Sequence, residues 1–297
     1  MESEYAPPFV ITPDIVRLVS EISETLGTFS ATAEGMMVPM LRRGNRIRSI
    51  QASLAIENNT LSLDQVIAIA NGKRVLGHPQ EIQEVKNAFS AYDMLESLSP
   101  FSEEDLLRAH KALMTALSDE AGQYRSGGVG IVKGDKFVHV APPAGRIPIL
   151  MRDLFNWLGT TTAHPLIASS VFHYEFEFIH PFSDGNGRMG RLWQTLILRN
   201  WRPILAYLPV ETVIRTRQDD YYHSLRRSDK MGNSTVFIEF MLNAVLDSLR
   251  EAISSDQVSD QVSDQVKKLL RIFSGDSIAG SELMRILNLS HKPTFRM

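Results

Sequence analysis

The sequence predicts a mainly α-helical chain interrupted by one short β-hairpin. Three observations predict it. Apolar residues recur at helical spacing through most of the 297 residues, helix-start signals precede several of those stretches, and only the segment around 129–140 is rich in β-branched and aromatic residues.

Thr12 reads as an N-cap with Pro13 at the first helical position; Ile15, Leu18, Val19 and Ile22 share one face, and Gly27 is the expected end. A basic stretch from Arg42 to Arg48 leads into a second helix with Ile47, Ile50 and Leu54 aligned, stopping near Asn58 and Asn59. Helices are then expected over 62–70 and 79–98. Another opens at Ser102, whose followers Glu103, Glu104 and Asp105 make an acidic first turn, and runs to about Leu117. In the hairpin, 129–132 and 137–140 flank Lys133-Gly134-Asp135-Lys136, and Pro142-Pro143 closes the second run. Such short strands imply a flap rather than a sheet. Helical patterns resume over 147–159, over 165–179, where Ile167, Val171, Tyr174 and Phe178 form one stripe, over 189–200 and after Thr235. The motif SDQV occurs three times over 255–266, which reads as a surface helix or linker; short helices are expected over 266–273 and 281–287, with a third beginning at His291.

With 43% hydrophobic residues the chain can bury a core, and a formal charge of −3 gives no bulk field to gather nucleic acid or an anionic membrane. The absence of cysteine excludes disulfides, thiolate zinc sites and cysteine nucleophiles. The opening MESEYAPPFVITPD lacks the basic and apolar regions of a secretory signal, and no apolar run approaches the roughly 20 residues of a membrane span, so the expected location is the cytoplasm.

The chemistry concentrates in His180-Pro-Phe-Ser-Asp-Gly-Asn-Gly-Arg-Met-Gly-Arg191, a glycine-rich turn between two helical patterns. Gly185 and Gly187 lack a Cβ, so the backbone is expected to take positive φ and turn peptide N–H groups on one anion, at the start of a helix beginning near Arg188. Asp184 supplies a hard oxygen suited to Mg2+ on bridged phosphates. Arg188 and Arg191, three apart, can hold outer phosphates. Pro181 forces a turn that points the His180 imidazole across this cradle, and an ordinary histidine pKa near 6.5 suits a general base. Gly185, Gly187 and Gly190 also satisfy GxGxxG, but a helical stripe precedes them where a dinucleotide fold needs a strand. His173 and Glu177 stand four apart as helical metal ligands can, yet no third ligand accompanies them and they read as packed; His110, His139 and His164 likewise read as structural.

The string meets all nine specified positions of HPFx(D/E)GNGRxxR, and the chain resembles the Fic family of protein adenylyltransferases. Gly122-Gln-Tyr-Arg125, the hairpin and the helix running into His180 resemble the rest of its core, over about 102–201. The resemblance implies a Fic-fold helical bundle with a hairpin flap that positions the target. It implies His180 as catalytic base, Asn186 on the α-phosphate, Asp184 on Mg2+, Arg188 and Arg191 on the β- and γ-phosphates with Gly185 and Gly187 in the nucleotide loop, and transfer of AMP from ATP to a protein hydroxyl. Ser53-Leu-Ala-Ile-Glu57-Asn58 resembles the family's inhibitory pattern (S/T)xxxE(G/N), which implies that Glu57 pairs with Arg191 and spoils the ATP pose.

These readings divide the chain into an N-terminal helical module over 1–98, a core over 99–253 and, over 254–297, a linker with a segment resembling part of a winged helix that stops before a full recognition helix; nucleic acid is therefore not an expected partner. The expected partners are ATP and a target protein of unknown identity, with self-modification and a homodimer left open. Two alternatives stand beside transfer: a hydrolase that removes AMP with Glu57 orienting water, and a transcriptional regulator that only senses nucleotide.

Overall fold

The structure, a computed structural model of the chain, describes residues 5–32, 39–128, 130–133 and 136–272, with the backbone alone for 29–32, 39–41, 130–133, 136–140 and 255–272. In chain order the elements are α1 (Pro13–Thr32), α2 (Pro39–Ile56), α3 (Leu63–Ala70), α4 (Pro79–Asp93), α5 (Glu103–Met114), β1 (Gly130–Lys133), β2 (Lys136–Val140), α6 (Ile147–Thr160), α7 (Pro165–Ile179), α8 (Asn186–Trp201), α9 (Val210–Thr216), α10 (Gln218–Met231) and α11 (Thr235–Ile272). The fold is mainly α, as expected. β1 and β2 pair antiparallel, Gly130 opposite Val140 and Lys133 opposite Lys136.

Local chemistry sets most of the starts. The Thr12 hydroxyl accepts the Ile15 N–H at 3.2 Å, Ser62 and Gln65 close a reciprocal capping box, and Ser102 accepts the Asp105 N–H at 3.1 Å. The ends depart from expectation. Helix α1 runs through Gly27, because one exposed glycine costs only about 1 kcal/mol against continued hydrogen bonding and the buried Ile22 and Leu26 beside it. Helix α2 starts earlier than its apolar face, at Pro39. Helix α4 stops at Asp93, where a 3-10 turn over Met94–Glu96 takes over, and α5 stops at Met114, two residues before Ala116 turns to φ 60°. Helices α9 and α10 were not expected. Helix α11 continues unbroken through the SDQV repeats, so no separate helix begins at residue 266. The expected helices over 281–287 and from 291, the segment resembling a winged helix, Val129 and the hairpin turn residues 134–135 lie outside the described residues.

The chain divides into two compact units, Met1–Leu249 and Arg250–Met297. In the first, α7 is the central element: Leu166 to Phe176 is buried all round, whereas Phe178, at the end of its predicted stripe, is 39% exposed. Helix α8 packs closely on α7 because Gly190 has no Cβ, which would stand 2.8 Å from the His173 ring. Below them Tyr174, Ile214, Tyr221, Phe237 and Met241 join α7, α9, α10 and α11 in one apolar cluster. Among the described residues no helix is long and apolar enough to cross a membrane.

An N-terminal strap lies over this core. The Ser234 N–H bonds Pro8 O at 3.0 Å, the Val10 N–H bonds Thr235 Oγ1 at 2.9 Å, and the Tyr5 hydroxyl donates to Glu175 Oε2 on α7 at 2.9 Å. Burial pushes the Glu175 carboxyl up to about 7, the Tyr5 bond opposing and the Asp229 charge adding. A carboxyl raised on folding gives stability that is complete below its unfolded pKa and lost as pH climbs through the folded one. Glu175→Gln should therefore gain on the parent chain by about 1.4 kcal/mol per pH unit between about 4.5 and 7, read by denaturant unfolding across that range. A difference that does not change with pH contradicts this.

Candidate active site

Helix α7 ends on His180 in the left-handed region, φ 50° and ψ 62°, which a residue with a Cβ adopts only when its surroundings hold it there. Arg125 holds it. Its buried guanidinium donates from Nε to His180 O at 2.7 Å, from Nη1 to Gly127 O at 2.7 Å and from Nη2 to Pro142 O at 2.7 Å, while its peptide N–H bonds Pro181 O at 3.0 Å. The half-buried His180 ring is set so that Nδ1 lies 3.4 Å from Glu177 O. A carbonyl only accepts, so in this contact Nδ1 is the donor.

Beyond the turn, Gly185 caps α8 with φ 83°, where a Cβ would meet Met114 Sδ at 2.9 Å. Helix α8 starts at Asn186 rather than near Arg188, so its first-turn N–H groups and the positive end of its dipole face the His180 turn. Gly187 corrects the expectation of a second positive φ: it is an ordinary helical residue, and its missing Cβ instead leaves room for the carboxylate of Glu57, in the turn that ends α2. The buried Asn186 braces the loop, accepting the Phe182 N–H at 2.9 Å and donating to Phe182 O at 2.8 Å. Asp184 Oδ1 accepts the Gly185 N–H at 2.6 Å and Arg188 Nη2 at 3.1 Å, and the side chain is 62% exposed. One exposed carboxylate beside an N–H cradle suits Mg2+, which takes one or two protein carboxylates and completes its shell from phosphates and water.

His110 of α5, a structural residue by its sequence context, supports this loop. It accepts the Gly122 N–H at Nδ1 (2.9 Å), so the hydrogen sits on Nε2, which donates to Asp184 O at 3.0 Å. Its ring stacks on Phe182 of the motif at 3.6 Å, and burial pushes its pKa down to about 4, so it is neutral at physiological pH. His173 is packed as expected, between Gln194 Oε1 at 2.6 Å and the Tyr221 hydroxyl at 3.1 Å. His164 caps α7; of His139 only the backbone, in β2, is described.

Both motif arginines meet carboxylates. Arg188 lies between Asp184 and Glu84 of α4, the latter 3.6 Å away. Arg191, 2% exposed, donates to Glu57 Oε1 at 2.8 Å, to Ser53 Oγ at 3.0 Å and to Ser53 O at 2.9 Å. The end of α2 makes the last contact available. Asn58 takes φ 70° and the Asn59 N–H reaches back to Leu54 O, while the Glu57 N–H also turns to Leu54 O, so the Ser53 carbonyl faces Arg191 instead of closing a helical bond. A Cβ on Gly187 would collide with Glu57 Oε1. Gly187→Ala should therefore cost about 1–3 kcal/mol more in the parent chain than in a Glu57→Gly background, measured as a double-mutant cycle in denaturant. Equal costs in both would contradict the contact.

The Fic/DOC family profile matches residues 100–198. A crystal structure of a Fic family protein from Desulfovibrio desulfuricans G20 is 61% identical, with a TM-score of 0.84 over 98% of this chain and 89% of that one. The chain belongs to the Fic family. "Protein adenylyltransferase Fic" of Drosophila mojavensis is 27% identical over 80% of this chain and 48% of its own length, and that of Drosophila virilis 28% over 81% and 49%. The chain thus spans about half the length of the curated relatives it matches. Fic-1 from C. elegans, at 23% identity and a TM-score of 0.67 over 82% of this chain, shares the fold.

Within this Fic chain, Ser53 and Glu57, at the end of α2, lie against Arg191 of the motif. His110, Arg125 and Glu84 carried no signal for their contacts. Each acts on backbone or on a motif side chain from a distant helix or loop, and no spacing rule links residues 55 to 104 positions apart: 180 − 125 for Arg125, 188 − 84 for Glu84.

Proposed function

We propose that this chain is a protein adenylyltransferase that moves AMP from Mg-ATP to a hydroxyl of a target protein, held in check by Glu57. The observation that carries the reading is the left-handed His180 turn, clamped by Arg125 and set directly before an N–H cradle flanked by one carboxylate and two arginines. His180 Nε2 takes the proton of the target hydroxyl, whose oxygen attacks the α-phosphorus; the bond from that phosphorus to the oxygen bridging it to the β-phosphate breaks, and pyrophosphate leaves. Asp184 would hold Mg2+ together with the phosphates, and the ion supplies charge neutralisation there when bound. Gly185, Asn186 and Gly187 shape the α-phosphate cradle, and Arg188 and Arg191 serve the β- and γ-phosphates. Glu57 occupies Arg191 and so withholds it from the γ-phosphate, while Ser53 holds the same guanidinium in place.

The hairpin offers an edge along which a target segment can add as a strand. The division into modules over 1–98, 99–253 and 254–297, a cytoplasmic location, self-modification and a homodimer belong to the same proposal. Incubation with Mg-ATP and mass spectrometry of modified protein should find AMP on tyrosine, threonine or serine; a stable adduct on lysine contradicts a base that works on hydroxyls. Removal of AMP is the second reading, favoured by one observation: the Glu57 carboxylate reaches Gly187 in the first turn of α8, close enough to orient a water there.

A further inference from the structure

Away from the motif, a cavity of about 550 Å³ opens beside the N-terminal half of α2, bounded by α3, α4 and Tyr207. No motif residue lines it. Arg42, Arg43 and Arg46 of α2 and Lys86 of α4 face it with two carboxylates, Asp93 and Glu96, so this lining carries a formal +2 (4 − 2) in a chain whose total is −3. The cations are only partly answered. Arg46 pairs with Asp93 at 3.1 Å, but Arg43 bonds a neutral acceptor, Asn71 Oδ1, at 2.8 Å, and Arg42 Nε is buried without a hydrogen-bond partner among the described residues.

The guanidinium groups of Arg42 and Arg46 lie over one ring, that of Tyr207, at 5.0 and 5.8 Å from its centroid. Two like charges are thus gathered on one ring, only Arg46 of the pair is answered by a carboxylate, and a bound anion would offset the repulsion. The rest of the wall is apolar, from Ile47, Ile69 and Phe89. A concave site of this size, lined both by cationic donors and by aromatic and aliphatic side chains, matches a small phosphorylated molecule rather than a flat macromolecular surface.

We propose that this cavity is a second anion site, which takes a phosphorylated small molecule of mononucleotide size with its phosphate on Arg42, Arg43 and Lys86 and its base against Phe89 and Ile69. The proposal does not depend on AMP transfer at the motif. Its test is therefore made in the full chain carrying Asp184→Ala and Arg188→Ala, which weakens phosphate binding at the motif. Calorimetric titration with ADP should show one site, with pyrophosphate competing. Adding Arg42→Gln and Lys86→Gln should weaken ADP at least about tenfold, as the loss of charge-assisted bonds requires. A second readout needs no variant in the cavity: the Arg42 Nε–H resonance in a 15N spectrum should shift as ADP is added. No ADP binding, ADP binding that the glutamine changes leave intact, an unmoved Arg42 signal, or binding of pyrophosphate alone each overturns the proposal.

Discussion

Replacing Glu57 by glycine is expected to raise AMP transfer by about ten- to a hundredfold. The Glu57–Arg191 bond, 2.8 Å long on an arginine that is 2% exposed, is of the charge-assisted kind worth about 1.5–3 kcal/mol. Removing it returns that bias to the γ-phosphate. Arg191 stays tethered to Ser53 Oγ and O, so the guanidinium remains positioned and is not left buried without partners. Glu57→Asp, one methylene shorter, should release the brake in part. Glu57→Gly combined with Arg191→Ala should lose the gain, because the arginine that the glutamate withholds is then missing. Initial rates of label incorporation at fixed Mg-ATP measure all three. An unchanged rate in Glu57→Gly contradicts the inhibitory role while leaving the catalytic one untouched, and loss of an AMP-removing activity in that variant favours the hydrolytic reading.

His180→Ala should reduce transfer by at least about 10² to 10⁴ while ATP binding is kept, since the imidazole handles a proton and the phosphates are held elsewhere. Asp184→Ala should behave in the opposite way, weakening Mg-ATP binding. The two variants are told apart by measuring ATP affinity and single-turnover rate separately. Equal loss of affinity in both would show that His180 serves binding. The background variant for these rates is Glu57→Gly, in which the expected signal is largest.

What could be read in advance follows from how local each determinant is. The Ser102 cap and the Asn58–Asn59 stop are written within a few residues, and the structure has them where expected; the helix expected over 62–70 is fixed by an equally local capping box of Ser62 and Gln65. The motif is equally local, since a glycine-rich turn between two helices states its own chemistry. Gly27 and Gly187 were misjudged for the same reason: the cost of a glycine is small, and what it does is decided by neighbours. At Gly27 the helix simply continues, and at Gly187 the open space serves the carboxylate of Glu57, from the turn after α2, rather than a positive φ. Helices α9 and α10 went unread because their faces become apolar only against Tyr174, Phe237 and Met241, residues that arrive from α7 and α11. The Arg125 clamp and the His110 link between Gly122 and Asp184 are tertiary hydrogen bonds, invisible to periodicity.

The most direct test of the account incubates the Glu57→Gly chain with Mg-ATP labelled in parallel at the α- or the γ-phosphate, with Glu57→Gly plus His180→Ala as the control. Protein-bound label should come from the α-labelled nucleotide alone and disappear in the control. Label from the γ-phosphate, or equal α-label with and without His180, would contradict adenylyl transfer at this site.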